Sequence, residues 1–448
     1  MEDLERAFTG GTKGQVGRML DLFSQAPVDI TLDRYFEEII LPDSPLTRQT
    51  RQISFKSLPT NAFTDISQSR LEITVKLIMP GGGNIPQQQP PDHAAANPGA
   101  GFINNVLSSM FKELDLRISN TSVSPMTALY PFTAYFVNLL GFQEDAVETK
   151  LSQRGWVKEQ DSDNFDAFGT DGFANLAKFT QASHEWTLSG PIHHGLTHQP
   201  RLLIPMLPIS VNLTLSDAAF AIKSGVANAN QEFEITNAQL IMKRVVVNPS
   251  IQAGIESRLL RSPCLYPIKH IRTKSYLINN NLSSFTVADV FAGSFVPRSV
   301  HLALVPQANV VGSRITSPFK FAHNSVRDMY FQIGALRCPS IPWDVNYAAD
   351  PQQFVRVYNA LFAGTGQNSD DGIQFKQSLF ASNFNIWTFD FSQDDTPESF
   401  RPKQISSVLF HVSFVRPVPA TLQLIIFQTS EEVLSIDSSR NVMVNFPL

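Results

Sequence analysis

Apolar and polar residues alternate with a period of two along much of this chain, the pattern of strands that bury one face. Leu71, Ile73, Val75 and Leu77 alternate with Glu72, Thr74 and Lys76. Ile209, Val211, Leu213 and Leu215 alternate with Ser210, Asn212, Thr214 and Ser216. Val300, Leu302 and Leu304 repeat the rhythm, as do Val408, Phe410, Val412 and Phe414. Segments 233–247 and 421–427 are apolar at both parities, which predicts strands covered on two faces. Helical periods are fewer. Phe102, Val106, Leu107, Met110, Phe111 and Leu114 form an amphipathic stripe that predicts a helix over 102–114. A second helix is predicted over 131–141, with Pro131 at its start and Gly141 at its end. A third is predicted over about 351–362, stopping near Gly364 and Gly366. No helix alternates regularly with strands, which argues against a parallel α/β sheet.

Three segments punctuate the pattern. Residues 1–24 predict a loose arm with Gly10, Gly11, Gly14 and Gly17, and residues 80–101 carry five Pro and five Gly and predict a long loop. Between Asn248-Pro249 and Pro263 a short helical connector is expected. The chain then divides into an arm (1–24), a first domain (25–250), a connector (251–264) and a second domain (265–448). No residue-level repeat is visible, yet both halves hold several alternating strands, a polar insertion and a loop helix. The predicted fold class is all-β, a double jelly-roll of two eight-stranded antiparallel sandwiches in tandem with a few loop helices.

Composition narrows the function. Of 448 residues, 43% are hydrophobic and only 17% charged, below the roughly 25% of an average soluble domain. Phe is over-represented, 34 residues against 4 Trp and 8 Tyr, so large cores and large interfaces are both within reach. A net charge of −5 gives no support to a free-standing nucleic-acid binder. Cys264 and Cys338 lack CxxC spacing, so neither a disulfide framework nor a structural zinc site is predicted, and a reducing compartment fits. The acidic start Met1-Glu2-Asp3-Leu4-Glu5 is unlike a secretory signal, and the longest apolar stretch, 202–209, is interrupted by Pro205 and Pro208. With no secretory route expected, the sequons at Asn120, Asn212 and Asn281 are read as accidental.

Candidate chemistry is sparse. Gly10-Gly11-Thr12-Lys13-Gly14 has its Lys before the last Gly and no strand ahead to aim a phosphate cradle. His193, His194 and His198 are the best metal candidates, but Pro191 and Gly195 argue against the helix that would put two imidazoles on one face, so a solvated loop is expected. Asp370-Asp371, Asp394-Asp395 and Glu431-Glu432 could suggest a glycosidase, but neighbouring strand residues face opposite ways, so solvated turns are expected. Lys269, His270, Arg272 and Lys274 form the one basic cluster, expected as an exposed polar face opposite Ile271. The run Trp387-Thr388-Phe389-Asp390-Phe391 is expected in the core, because no basic residues interleave with it as in a base-stacking platform. No catalytic residue, cofactor or metal is predicted.

The order of several segments carries a family resemblance. Phe102-Ile-Asn-Asn-Val-Leu-Ser-Ser-Met-Phe111 runs into Leu114-Asp-Leu-Arg-Ile118, Ser124-Pro125, Tyr130-Pro-Phe-Thr-Ala-Tyr135 and Leu139-Leu140. Further on come Arg201-Leu-Leu-Ile204, Tyr266-Pro-Ile268, Pro318-Phe-Lys-Phe321, Phe354-Val-Arg-Val-Tyr-Asn-Ala-Leu-Phe362 and Asp437-x-x-Arg440-Asn441-Val442. Together these resemble the major capsid proteins of Polinton/Maverick elements and adintoviruses, relatives of the virophage and adenovirus-type double jelly-roll lineage. The chain departs from them in carrying Phe132 for a Tyr and in the length of the 80–101 loop. The resemblance implies a non-enzymatic shell protein of the virion. Three copies would form a pseudo-hexagonal homotrimer tiling an icosahedral capsid, with neighbouring trimers, penton and minor capsid proteins as partners. Residues 1–24 would lace toward the minor components. The competing reading is an all-β carbohydrate-binding or carbohydrate-active protein, which needs exposed aromatic platforms and a facing carboxylate pair. A cellular β-sandwich scaffold is a third.

Overall fold

The computed structural model describes residues 31–85, 99–124, 127–159, 166, 171–225, 230–291, 295–347, 354–365, 372–391 and 405–445. The expected arm and most of the 80–101 loop lie outside them. The period-two segments are strands. Ile209–Leu215 buries Ile209, Val211 and Leu213, and Val408–Phe414 buries Val408, Phe410, Val412 and Phe414, with every intervening residue half-buried. One-sided burial is thus obtained wherever the alternation is strict.

The strands assemble into two pairs of antiparallel sheets. In the first pair, Leu32–Ile40, Glu232–Val247, Phe63–Ile78 and Trp186–Gly190 form one sheet in that order. Gln52–Ser57, Ile209–Leu215, Phe111–Ile118 and Thr121–Ser122 form the other. Between them lies one hydrophobic cluster, built from Ile73, Val75, Leu240 and Met242 of the first sheet and Phe55, Leu116, Val211 and Leu213 of the second. Later in the chain, Cys264–Ile278, Leu422–Ile436, Ser299–Pro306 and Trp387–Asp390 form a third sheet, with Val442–Asn445 beside Leu422–Ile436. Ser284–Val287, Val408–Phe414, Val326–Ile333 and Leu336–Cys338 form the fourth. A second cluster fills that sandwich, with Leu302, Leu304 and Ile426 facing Met329, Phe331 and Phe410. The helix Pro249–Leu259 joins the two pairs, with Pro249 in its first turn and Asn248 accepting from the Ser250 amide at 3.0 Å.

Three expectations need correction. The stripe over 102–114 is not one helix: Ala100–Phe102 pairs with Ile222–Ser224, a single turn covers Val106–Ser109, and Phe111–Ile118 is a strand. All six stripe residues are buried, but in three successive elements, so helical spacing arises from burial without a helix. Strand pairing with Ile209–Leu215 outweighs the local period. The strand Ser299–Pro306 buries both faces, because the helix Val355–Thr365 packs over it, and His301 is covered and bonded to the Thr388 hydroxyl at 2.8 Å. The third helix is Val355–Thr365, displaced from the expected 351–362, and residues 351–353 lie outside the described chain.

The predicted helix at 131–141 is present as Tyr130–Gly141, and ten of its twelve residues are buried. The rings of Phe132, Tyr135 and Phe136 enter the second cluster, and that of Tyr130 the first. Tyr135 stacks on Phe319 at 4.1 Å between centroids, Phe136 on Phe321 at 5.4 Å, and Phe132 meets Phe319 edge-on at 5.6 Å. In return, Tyr266 and Ile268 of Cys264–Ile278 and Leu434 and Ile436 of Leu422–Ile436 pack into the first cluster. Each half lends an element to its neighbour's core.

Candidate functional site

Where the halves interlock, polar residues are buried too. The turn Gly195–His198 follows the strand Trp186–Gly190 and presses on Cys264–Ile278. A Cβ at Gly195 would stand 2.2 Å from the Lys269 carbonyl oxygen, so the approach needs glycine. His194 caps the turn: its Nδ1 accepts from the Leu196 amide at 3.1 Å, which places the proton on Nε2, 3.1 Å from the Val123 carbonyl. The His193 amide donates to the Tyr130 hydroxyl at 3.2 Å, and the His193 and His198 rings stack at 5.9 Å. From the second half, His270 meets His194 edge-on at 5.9 Å and lies 3.3 Å from Glu432, which pairs with Arg272 at 2.9 Å. The Thr133 and Thr273 hydroxyls bond across the junction at 2.7 Å. Arg154 donates to Asn138 at 2.7 Å, Asn138 to Asn105 at 3.0 Å, and Gln374 reaches the Asn138 carbonyl at 2.6 Å.

Burial sets the charge here. His194 is pushed down to about 4, chiefly by loss of solvent, against which its bond to Val123 works. His270 falls to about 3 through burial, with His194 and Arg272 adding. His193 is also lowered by burial, with His198 and Arg154 adding. Glu432 is raised by burial, and Arg272 opposes the shift. Burial pushes Tyr130 up to about 12 and Arg154 down to about 10. At neutral pH the imidazoles are therefore uncharged. His193 and His194 line a cavity of about 20 Å³ together with Tyr130, Thr133 and Thr273, with room for about one water. No group of three or more His, Cys, Asp or Glu placed to hold a metal occurs among the described residues.

Of the solvated loop expected at His193, His194 and His198, the first two are buried at the junction, because Gly195 lets the turn lie against the neighbouring strand, while His198 is exposed as expected. Of the polar face expected at Lys269, His270, Arg272 and Lys274, Lys269 is exposed, but His270 is buried and Arg272 is ion-paired with Glu432 of the neighbouring strand Leu422–Ile436. Glu431 and Glu432 are not turn residues. They sit in that strand facing different ways, Glu431 bound to Arg298 at 2.7 Å. Trp387 and Phe389 are core residues as expected. Gly10–Gly14, Asp370-Asp371 and Asp394-Asp395 lie outside the described residues. Asn138, Arg154 and Thr273 carry no motif and could be found only by knowing which elements meet.

Two broader hollows lie away from the junction. One of about 640 Å³ runs between Phe36, Val246 and the helix Pro249–Leu259, where Glu256 is bound to Arg440. The other, of about 500 Å³, holds Arg327, Asp328, Arg337 and Asp344, which pair with one another.

No family model matches the chain. A curated relative in Caenorhabditis elegans, the uncharacterized protein F54H12.2, is 22% identical over 357 residues, covering 77% of this chain and 81% of that one. Among solved structures, a chain of the Sputnik virophage covers 97% of this chain and 93% of its own length at TM-score 0.65 and 13% identity. The faustovirus major capsid protein gives 0.56 at 10% identity, covering 98% and 94%. The mavirus major capsid protein gives 0.53 at 12% identity, covering 98% and 96%. The fold is the double jelly roll of viral major capsid proteins. In this double jelly roll the histidine junction lies between the two sandwiches, so its residues hold the sandwiches together.

Proposed function

We propose that this chain is a structural, non-enzymatic major capsid protein of the Polinton/Maverick–adintovirus type. It would form a pseudo-hexagonal homotrimer, the tile of an icosahedral virion shell. The domain division follows the same reading: a first jelly roll over 25–250, a connector over 251–264 and a second over 265–448. The observation that carries the proposal is the likeness to capsid structures along 97% and 98% of the chain. Three tandem pairs make six sandwiches, the number a hexagonal tile requires. Penton and minor capsid proteins are proposed as further partners, the arm at 1–24 reaching toward the latter. The carbohydrate reading loses its best aromatics: Trp156 and Trp387 are buried, and Trp186 and Trp343 half-buried. Light scattering on the purified chain is expected to give about three times 49.8 kDa, or a shell-sized mass. A monomer at every concentration would reject the shell role.

A further inference from the structure

Among the described residues, nine large apolar side chains are at least 60% exposed, and seven of them fall in two groups, one in each half. The first group lies on Leu32–Ile40, an end strand of its sheet, where Tyr35, Ile39 and the following Leu41 occupy one parity. Pro42 bridges Phe55 antiparallel, so exposed Leu58, just past Gln52–Ser57, lies on the segment that runs back toward Leu32–Ile40. Edge strands usually guard themselves with outward charge. Here two of the charges are engaged within the chain: Glu37, exposed on the same parity as Tyr35 and Ile39, pairs with Arg70 at 2.8 Å, and Glu38 with buried Arg244 at 2.7 Å.

The second group lies on Leu336–Cys338, an end strand of the fourth sheet. Leu336 follows the Gly334 turn, whose amide donates to the Ser407 carbonyl at 3.2 Å, so Ile405, two residues before Ser407 and bridged to Phe295, lies at the same end of the sheet as that turn. The Trp343 amide donates to Asp328 at 3.2 Å and holds the segment carrying Ile341 nearby. Arg337 is again engaged within the chain, by Asp328 and the Tyr330 ring.

A closed ring of three identical chains needs two unlike faces on each copy. The first group exposes on the order of 500 Å² of side chain, as much as the largest apolar patch on a typical monomer. That is also most of the apolar centre of an interface burying ~800 Å² per partner. We propose that the Tyr35–Ile39–Leu41–Leu58 edge of one copy seats on the Leu336–Ile341–Ile405 edge of a second copy of this chain. The proposal rests on the trimeric reading above and names the surfaces that close the ring.

Sedimentation velocity on full-length protein tests it. The Tyr35→Lys/Ile39→Lys variant is expected to raise the half-assembly concentration at least tenfold, with unchanged circular dichroism and melting. Leu260→Lys, an exposed apolar site outside both groups, should leave assembly intact. In a Cys264→Ser/Cys338→Ser background, Ile39→Cys with Leu336→Cys should give a covalent trimer on oxidation, and neither cysteine alone should crosslink. A wild-type trimer that survives the double lysine change overturns the surface assignment and leaves the shell reading standing. Crosslinking by Ile39→Cys alone, or none by the pair within an intact trimer, overturns the unlike pairing. A monomeric wild type rejects the shell reading itself.

Discussion

The buried histidines make the junction sensitive to acid. His194 and His270 titrate in the fold at about 4 and about 3, below the ordinary 6.5, because burial penalises their charged forms. Between those values and 6.5 the unfolded chain binds more protons than the folded one, so stability falls as pH drops through that window. His193 acts in the same direction, and His301, pushed by burial to about 4, adds a site outside the junction. Glu432, raised by burial, opposes the trend in part. The melting temperature is expected to fall steadily from pH 6.5 to 4.5, and less steeply in His194→Gln, whose amide can still serve both Leu196 and Val123. Equal slopes in the two proteins would contradict the assignment. Gly195 makes the same junction sterically exacting, because a Cβ there would meet the Lys269 carbonyl oxygen at 2.2 Å. Gly195→Ala should therefore lower unfolding free energy by about 2 kcal/mol or more in urea titration.

The helix Tyr130–Gly141 shows how an element can be legible while its role is not. Pro131 and the apolar period announce it, yet nothing local says that Phe136 will stack on Phe321, far later in the chain. Because Phe136 is fully buried between Phe321 and Phe427, Phe136→Ala should cost about 3–5 kcal/mol. Since the helix spans both cores, the loss should appear as one cooperative transition. A biphasic melt with only one phase shifted would show that the halves unfold independently. The strands at 209–215 and 408–414 are readable for the opposite reason: strict alternation leaves only one face to bury. At 102–114 the period misleads, because consecutive short elements buried on several sides place apolar residues at helical spacing by coincidence.

For the molecule as a whole, the tandem sandwiches follow from patterning, and the junction between them does not. The Thr133–Thr273 bond and the His194–His270 contact join residues from opposite sides of the connector. A single sequence shows which residues are apolar but not which distant strand will cover a polar one. The histidines accordingly read as solvated and Arg272 as part of an exposed face, until Glu432 is placed opposite. Exposed apolar residues are equally silent in sequence: Ile39 and Leu336 look like ordinary strand positions, and only their place on end strands marks them as outward-facing. If three chains close on one another through these edges, their twin sandwiches become six in a single block. Negative-stain class averages of the purified wild-type chain decide the matter. Six lobes around a threefold axis are predicted, and particles with only two lobes would contradict it.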